Sequence, residues 1–175
     1  MPDYIIKFDG TDNKFLSNFW ICDILFEGHT YKSTEHAFQA AKTLSEVERE
    51  IVRNTNTAGD SKRAGRKVTL RNDWEQIKDS IMLQVLRTKF SNKELGDKLL
   101  ATGDSILIEG NKWCDNGWGV CYCEKCKGIG KNRLGELLMQ VRKEIKKEKF
   151  ELEIVDQMLA LSKSIEKYDI KLEQI

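Results

Sequence analysis

Apolar residues alternate in steps of two near the start of the chain and recur in steps of three and four over most of the remainder, so short strands should give way early to helices. Residues 4 to 8 read as a short strand. Trp20-Ile21-Cys22-Asp23-Ile24-Leu25-Phe26 and His29-Thr30-Tyr31 flank Glu27-Gly28, which predicts a hairpin. A helix should follow from Ser33 to Lys42, with Ser33 as N-cap, Glu35 in the first turn where the macrodipole favours an anion, and Ala37, Ala40 and Ala41 supplying propensity. Asp60 is expected to cap a second segment running to Arg66. From Trp74 onward, Ile77, Ile81, Val85 and Leu86 keep helical spacing, and Leu95, Leu99 and Leu100 mark a shorter helix. Ser105-Ile106-Leu107-Ile108-Glu109 is the clearest later strand. A loop rich in Trp and Cys spans Asn111 to Lys131, after which Asn132 can cap a helix bearing Leu134, Leu138, Val141 and Ile145 on one face.

Beyond about residue 148 the pattern changes to a heptad-like stripe of Ile154, Met158, Leu161, Ile165, Tyr168, Leu172 and Ile175. The expected organisation is therefore one domain over residues 1–148 and a C-terminal amphipathic helical extension over 149–175. Two readings of the extension stand: a helix folded back on the body, favoured because three heptads are few for a coiled coil, or a contact that makes a homodimer of two copies.

Composition narrows the class. The chain has 175 residues, 40% of them hydrophobic and 33% charged, enough for one sizeable core but cramped for two. A formal net charge of +1 argues against a protein that coats nucleic acid through general basicity. No apolar run approaches the length of a membrane span, and Met1-Pro2-Asp3-Tyr4 opens no signal-peptide pattern, so a soluble cytoplasmic protein with no membrane partner is expected.

Cys114, Cys121, Cys123 and Cys126 fall close together, a local cluster unlike the dispersed framework of a secreted chain. They could close a tetrahedral structural zinc site with no open coordination position. Their spacing departs from separated CxxC pairs, so free thiols in a loop are the weightier reading. Gly128-Ile129-Gly130 with Gly135 misses the dinucleotide-loop spacing and follows no strand directly, which excludes a Rossmann reading.

On the Ser33 helix, steps of four and three residues set Glu35, Gln39 and Lys42 on one face. A carboxylate, an amide and an amine so aligned can work on a sugar. Taken alone, the stripe reads more readily as solvated surface, continued by Glu46 and Arg49. His36 lies off the stripe and reads as a packing residue, and the small Ala37-Ala40-Ala41 strip implies close approach of a neighbouring element.

Further pieces stand in order along the chain. They are Leu16-Ser17-Asn18-Phe19, the Ser33 to Lys42 helix, Ala64-Gly65-Arg66 leading to Arg71-Asn72-Asp73-Trp74, and Lys89-Phe90. Thr102-Gly103-Asp104, Leu107-Ile108-Glu109, Asp115-Asn116-Gly117-Trp118-Gly119 and Asn132-Arg133-Leu134-Gly135-Glu136-Leu137-Leu138-Met139 with Arg142 complete the set. This ordered set, covering most of residues 8 to 145, resembles the YbiA-like or NADAR superfamily. The resemblance implies an α+β fold: a single helix-rich compact domain with short strands or a hairpin. It also implies an N-glycosidase, cleaving a ribose C1–N bond either in a phosphoribosylamino-pyrimidine of riboflavin synthesis or in ADP-ribose attached to guanine in DNA or RNA.

Such a cleavage passes through an oxocarbenium-like transition state, which needs a negative charge near the anomeric carbon and a proton for the leaving nitrogen. Glu35 and Asp115 are the candidates, in either order of roles, although Asp115 beside Asn116-Gly117 also reads as a turn former. Lys42 is either a nucleophile forming an imine with an opened ribose or a partner that orients Glu35. Trp118 suits stacking on a flat base, with Trp113 a weaker candidate and Trp20 and Trp74 assigned to packing. Lys62 and Arg66, near a helix start capped by Asp60, could grip a phosphate, and Asn18, Gln39 and Asn132 could bind ribose or base edges. No cofactor is required for this chemistry. The alternatives are a non-catalytic ADP-ribose or nucleotide sensor with the same pocket, and an interaction module built on the cysteine cluster and the heptad stripe.

Overall fold

The structure, a computed structural model, describes residues 3 to 8 and 12 to 172, with side chains to residue 163. Its elements follow the order β1 (Tyr4–Ile6), β2 (Ile21–Phe26), β3 (His29–Ser33), α1 (Thr34–Ala40), α2 (Glu46–Arg53), α3 (Ala58–Ala64), α4 (Trp74–Phe90), α5 (Lys93–Ala101), β4 (Ile106–Ile108), β5 (Gly110–Asn111), β6 (Val120–Cys121) and α6 (Arg133–Leu172). The fold is α+β, and among the described residues the short strands form three separate two-stranded sheets.

The hairpin forms where expected. Glu27 and Gly28 have φ of 46° and 78°, the left-handed pair that a tight two-residue turn between twisted strands demands. β2 and β3 pair antiparallel, with an irregularity in register between Ile21 and Ile24. β1 pairs parallel to β4, Ile5 opposite Leu107, and β5 pairs parallel to β6.

α1 forms because the Ser33 hydroxyl accepts from the His36 N–H, as its sequence position suggests. All seven of its residues are buried, since it packs against α2, α3, α4 and the hairpin. The solvated-surface reading of its polar stripe is thereby overturned. α1 ends at Ala40, and Glu46 and Arg49 belong to α2, a different helix with its own cap at Ser45. His36 is fully buried and its Nδ1 lies 2.7 Å from the Ser33 hydroxyl, a packing role as expected.

The second capped segment differs from expectation. Thr57, not Asp60, is the N-cap of α3: its hydroxyl accepts from the Asp60 N–H and donates to the Asp60 carboxylate at 2.6 Å. Asp60 therefore occupies the third helical position of a capping box, where its charge still meets the helix dipole.

α4 buries Trp74, Ile81, Met82, Val85, Leu86, Lys89 and Phe90, and α5 buries Leu95 and Leu99 beside it. With Leu16, Ile24, Ala37, Val52, Leu107 and Leu138 they form the core, an arrangement of apolar area removed from water.

The chain divides into two units, residues 1–142 and 143–175. In the first, the start of α6 buries Leu134, Leu138 and Val141. In the second, α6 runs on as helix to Leu172, and Ile154, Met158 and Leu161 of the stripe are exposed. The side chains of Ile165, Tyr168 and Leu172, and all of Ile175, lie outside the described residues. Among the described residues, no helix is long and apolar enough to cross a membrane.

Candidate functional site

A cleft of about 480 Å³ opens in the first unit, lined from the 17–20 segment, α1, α3, α4 and the loop after β4. Asn18, Glu35, Gln39, Lys42, Lys62, Asp115 and Trp118 all line it, seven expected residues brought together from distant parts of the sequence.

Glu35 sits at the start of α1 with only 5% of its surface exposed. Its N–H donates to the Asn18 carbonyl at 3.0 Å, which ties the 17–20 segment to the helix start. Its carboxylate accepts from Gln39 Nε2 at 2.8 Å. Burial pushes its carboxyl above the ordinary carboxylate range; Lys62, the Gln39 hydrogen bond and Lys42 pull it back, and Asp115 adds to the rise. A buried carboxyl held by one amide and facing a cleft is suited to move a proton or meet a developing cation.

Gln39 turns out to position the carboxylate. Its other side abuts Gly65, where an added Cβ would lie 2.1 Å from Gln39 Oε1. Gly65 thus serves close packing, because its φ of −63° needs no special freedom.

Lys42 lies two residues beyond the end of α1, half-buried, with its ammonium over the Trp74 ring at 6.0 Å from the centroid. Burial pushes it below the ordinary lysine range, with Glu35 opposing and Lys62 and Arg66 reinforcing the shift. The hydrogen bond that orients Glu35 comes from Gln39, and Lys42 acts on the carboxylate through space.

Lys62 reaches the cleft from the last turn of α3, its ammonium 5.9 Å from the centre of the Phe19 ring. Arg66 is exposed beyond that helix and lines a separate surface depression with Glu48, Asp60 and Arg63. The expected phosphate grip at a helix start is therefore corrected: both cations stand at or past the C-terminal end of α3, where backbone N–H groups do not point outward.

Asp115 forms the turn expected of it and also faces the cleft. Its Oδ1 accepts from the Gly117 and Trp118 N–H groups at 3.2 and 3.0 Å, the turn-forming role, while the side chain lines the cleft. Asn111 secures this segment by donating to the Asp115 carbonyl at 2.8 Å and accepting from the Asp115 N–H at 3.2 Å. Trp118 stands edge-on to Phe38, which also contacts Trp74, so the indole is fixed from behind.

Asn132 does not line the cleft. At a φ of 51°, it accepts from the Glu109 N–H at 3.0 Å and donates to the Leu107 carbonyl at 2.8 Å, clamping the end of β4 to the start of α6. The clamp is tightened by Gly135, whose added Cβ would meet the Leu107 carbonyl oxygen at 2.1 Å. The substrate-binding expectation for Asn132 gives way to this structural role.

Asn18 is buried at the cleft wall. Its Nδ2 lies 3.6 Å from the Met82 sulfur, and its Oδ1 has no hydrogen-bond partner among the described residues, which leaves an unsatisfied acceptor at the cleft wall.

Trp20 lines the cleft rather than the core, and so do Phe19, Glu109 and Trp113. Lys89 was also missed: it is buried, pushed down to about 8 by desolvation, and donates to the Ser17 carbonyl at 2.8 Å. It positions the segment that carries Asn18. A lysine within the apolar face of α4 was the available signal.

The four clustered cysteines converge, with all Sγ atoms within 4.8 Å of one another. They lie on the loop that also carries Asp115 and Trp118.

The NADAR domain family matches residues 6–146. The chain is 38% identical over 158 residues to the N-glycosidase YbiA of Escherichia coli, covering 85% of this chain and 93% of that one. It is 36% identical over 147 residues to a riboflavin biosynthesis protein of Vibrio vulnificus, covering 82% of this chain and 38% of that protein. The NMR structure of E. coli YbiA superposes with a TM-score of 0.73 at 40% identity, covering 86% of this chain and 90% of that chain. From both the sequence match and the shared fold, the chain belongs to the NADAR domain family.

Proposed function

We propose that the chain, as a hydrolase of N-glycosyl bonds, cleaves the ribose C1–N bond of a phosphoribosylamino-pyrimidine. The observation that carries this reading is the buried Glu35 carboxylate, held by Gln39 at 2.8 Å and facing a cleft that also holds Asp115, Lys42 and Lys62. A pure binder has no use for a desolvated carboxylate beside a second one. The riboflavin biosynthesis name of one relative and a cleft suited to a single small ligand favour the pyrimidine substrate.

In the proposed reaction the C1–N bond breaks, its electron pair passes to the leaving nitrogen, and positive charge spreads over C1 and the ring oxygen. Glu35 faces that charge and takes a proton from the water that adds to C1. Asp115, through the oxygen not engaged in the turn, contacts ribose hydroxyls or passes a proton to the leaving nitrogen. Trp118 stacks on the base, Asn18 Oδ1 accepts from a hydroxyl, and Lys62 offsets phosphate charge. Lys42, its ammonium disfavoured by burial, can instead attack C1 as the free amine.

A second reading, ADP-ribose attached to guanine in DNA or RNA, is favoured by Phe19, Trp20, Trp113 and Trp118 in one cleft, enough aromatic surface for a base of either kind. Incubation of the purified chain with each substrate, followed by mass spectrometry of the released base, separates the two. Glu35→Ala should lower kcat by about a hundredfold or more; full activity in that variant, or no release from either substrate, overturns the proposal. Borohydride added during turnover should leave a ribosyl adduct on Lys42 only if the lysine attacks.

A further inference from the structure

We propose that Cys114, Cys121, Cys123 and Cys126 bind one zinc ion as a closed four-thiolate clasp, and that the clasp holds the Asp115–Trp118 segment as a wall of the cleft. A tetrahedral ion bonded to sulfur at about 2.3 Å requires sulfur atoms about 3.8 Å apart. Cys114 Sγ and Cys123 Sγ are 3.7 Å apart, and the whole set falls within 4.8 Å.

The local chain path is built for such a set. Cys123-Glu124-Lys125-Cys126 folds into a tight turn, in which the Cys126 and Lys127 N–H groups donate to the Cys123 carbonyl at 3.1 and 2.9 Å. Lys127 and Gly128, with φ of 50° and 84°, then reverse the chain, so that Ile129 pairs with Cys121. This is a CxxC knuckle closed on a third cysteine. Cys114 arrives from the other side with a φ of 62°, a conformation a non-glycine residue adopts only when its surroundings enforce it. The linear spacing looked unlike paired knuckles because one ligand comes from before the 115–120 segment and three from after it.

The sulfur atoms also accept hydrogen bonds. The Cys114 N–H donates to Cys121 Sγ at 3.3 Å and Asn116 Nδ2 donates to Cys126 Sγ at 3.6 Å. Such donors disperse the negative charge that thiolates carry when they ligate a metal. Ligation by four thiolates, with any thiol protons released to solvent, leaves a site of net charge −2, and the loop's Lys112, Lys125, Lys127 and Lys131 outnumber its Asp115 and Glu124 and so offset it. With all four positions filled by sulfur, the ion has no place for substrate or water.

The consequence for the cleft follows from adjacency. Cys114 precedes Asp115 directly, and Cys121 follows Trp118 by three residues, so the ion would fasten both ends of the segment that supplies the second carboxylate and the stacking ring. The metal site stands independently of the reaction; only its effect on activity rests on the proposed cleavage.

The test begins with the reduced full-length chain. Elemental analysis should give one zinc per chain, and cobalt replacement should produce the strong thiolate-to-metal absorption and visible bands of a tetrahedral four-sulfur site. Cys123→Ser should lose most of the zinc, whereas Cys22→Ser, outside the cluster, should keep it. A wild-type chain that takes up neither zinc nor cobalt, including one isolated with a Cys114–Cys123 disulfide instead, overturns the proposal, as does full retention of zinc in Cys123→Ser. Should that variant fail to fold, the wild-type cobalt spectrum still decides. Stripping the metal should lower kcat/KM by about tenfold to a hundredfold; unchanged activity after stripping overturns the positioning role. A zinc-loaded chain that cleaves neither substrate instead sinks the proposed reaction and leaves the clasp intact.

Discussion

Holding Glu35 in the protein interior works against the fold at neutral pH. Its carboxyl is raised above the ordinary value of 4.5 by burial, so the folded state binds the proton more tightly than the unfolded state does. Below that value both states are protonated and no cost arises. As pH rises through it and then through the higher folded value, the unfolded state ionises first and stability falls. Glu35→Gln keeps the bond to Gln39 without the charge. It should raise Tm at pH 7 by about 2–4 °C, from a gain of about 1 kcal/mol, with the gain disappearing in acid. Thermal melts across pH check this, and equal melting points at pH 7 would show that the carboxyl is hydrated. The same substitution should cost activity, a trade of stability for chemistry at one position.

Elements show how far local signals reach. The β2–β3 hairpin was legible because Glu27-Gly28 answers a local geometric need, and Ser33 was legible because a cap acts within one turn. The end of α1 was not, since alanines and Lys42 favour more helix; the stop is tertiary, with the Lys42 and Thr43 carbonyls taken by the Arg71 N–H and the Arg49 guanidinium. The α3 cap was misplaced by three residues because Thr57 and Asp60 are both good caps and bond to each other. Much of the cleft was legible in Glu35, Gln39, Lys62, Asp115 and Trp118, while Asn132 was misread because nothing in its sequence shows that β4 lies within its reach. The packing of α3 on α1 carries its own prediction. Gly65→Ala would push Gln39 aside and release Glu35, lowering kcat/KM by about tenfold and stability by about 1–3 kcal/mol. If the effect runs through Gln39, adding Gly65→Ala to Gln39→Ala should cost little more, and full additivity would exclude that route.

At the scale of the whole molecule, every residue lining the cleft falls between Phe8 and Leu134, inside the family match of residues 6–146. A chain ended at residue 148 should therefore keep kcat/KM within about twofold of the full chain. A loss greater than tenfold, with the same melting temperature, would assign residues 149–175 a part in the reaction. One feature of the strands sets the order in which this enzyme comes into being. β1 finds its partner in β4, residues Tyr4–Ile6 against Ile106–Ile108, with no closer strand to satisfy it among the described residues. During synthesis the first strand must wait for a hundred residues to be made, and the cleft waits longer still, for Leu134. Closing so long a loop is slow and comes late, so no nascent fragment that stops short of residue 134 carries a finished site, and the ability to cleave should switch on in a single step once that residue has joined the fold.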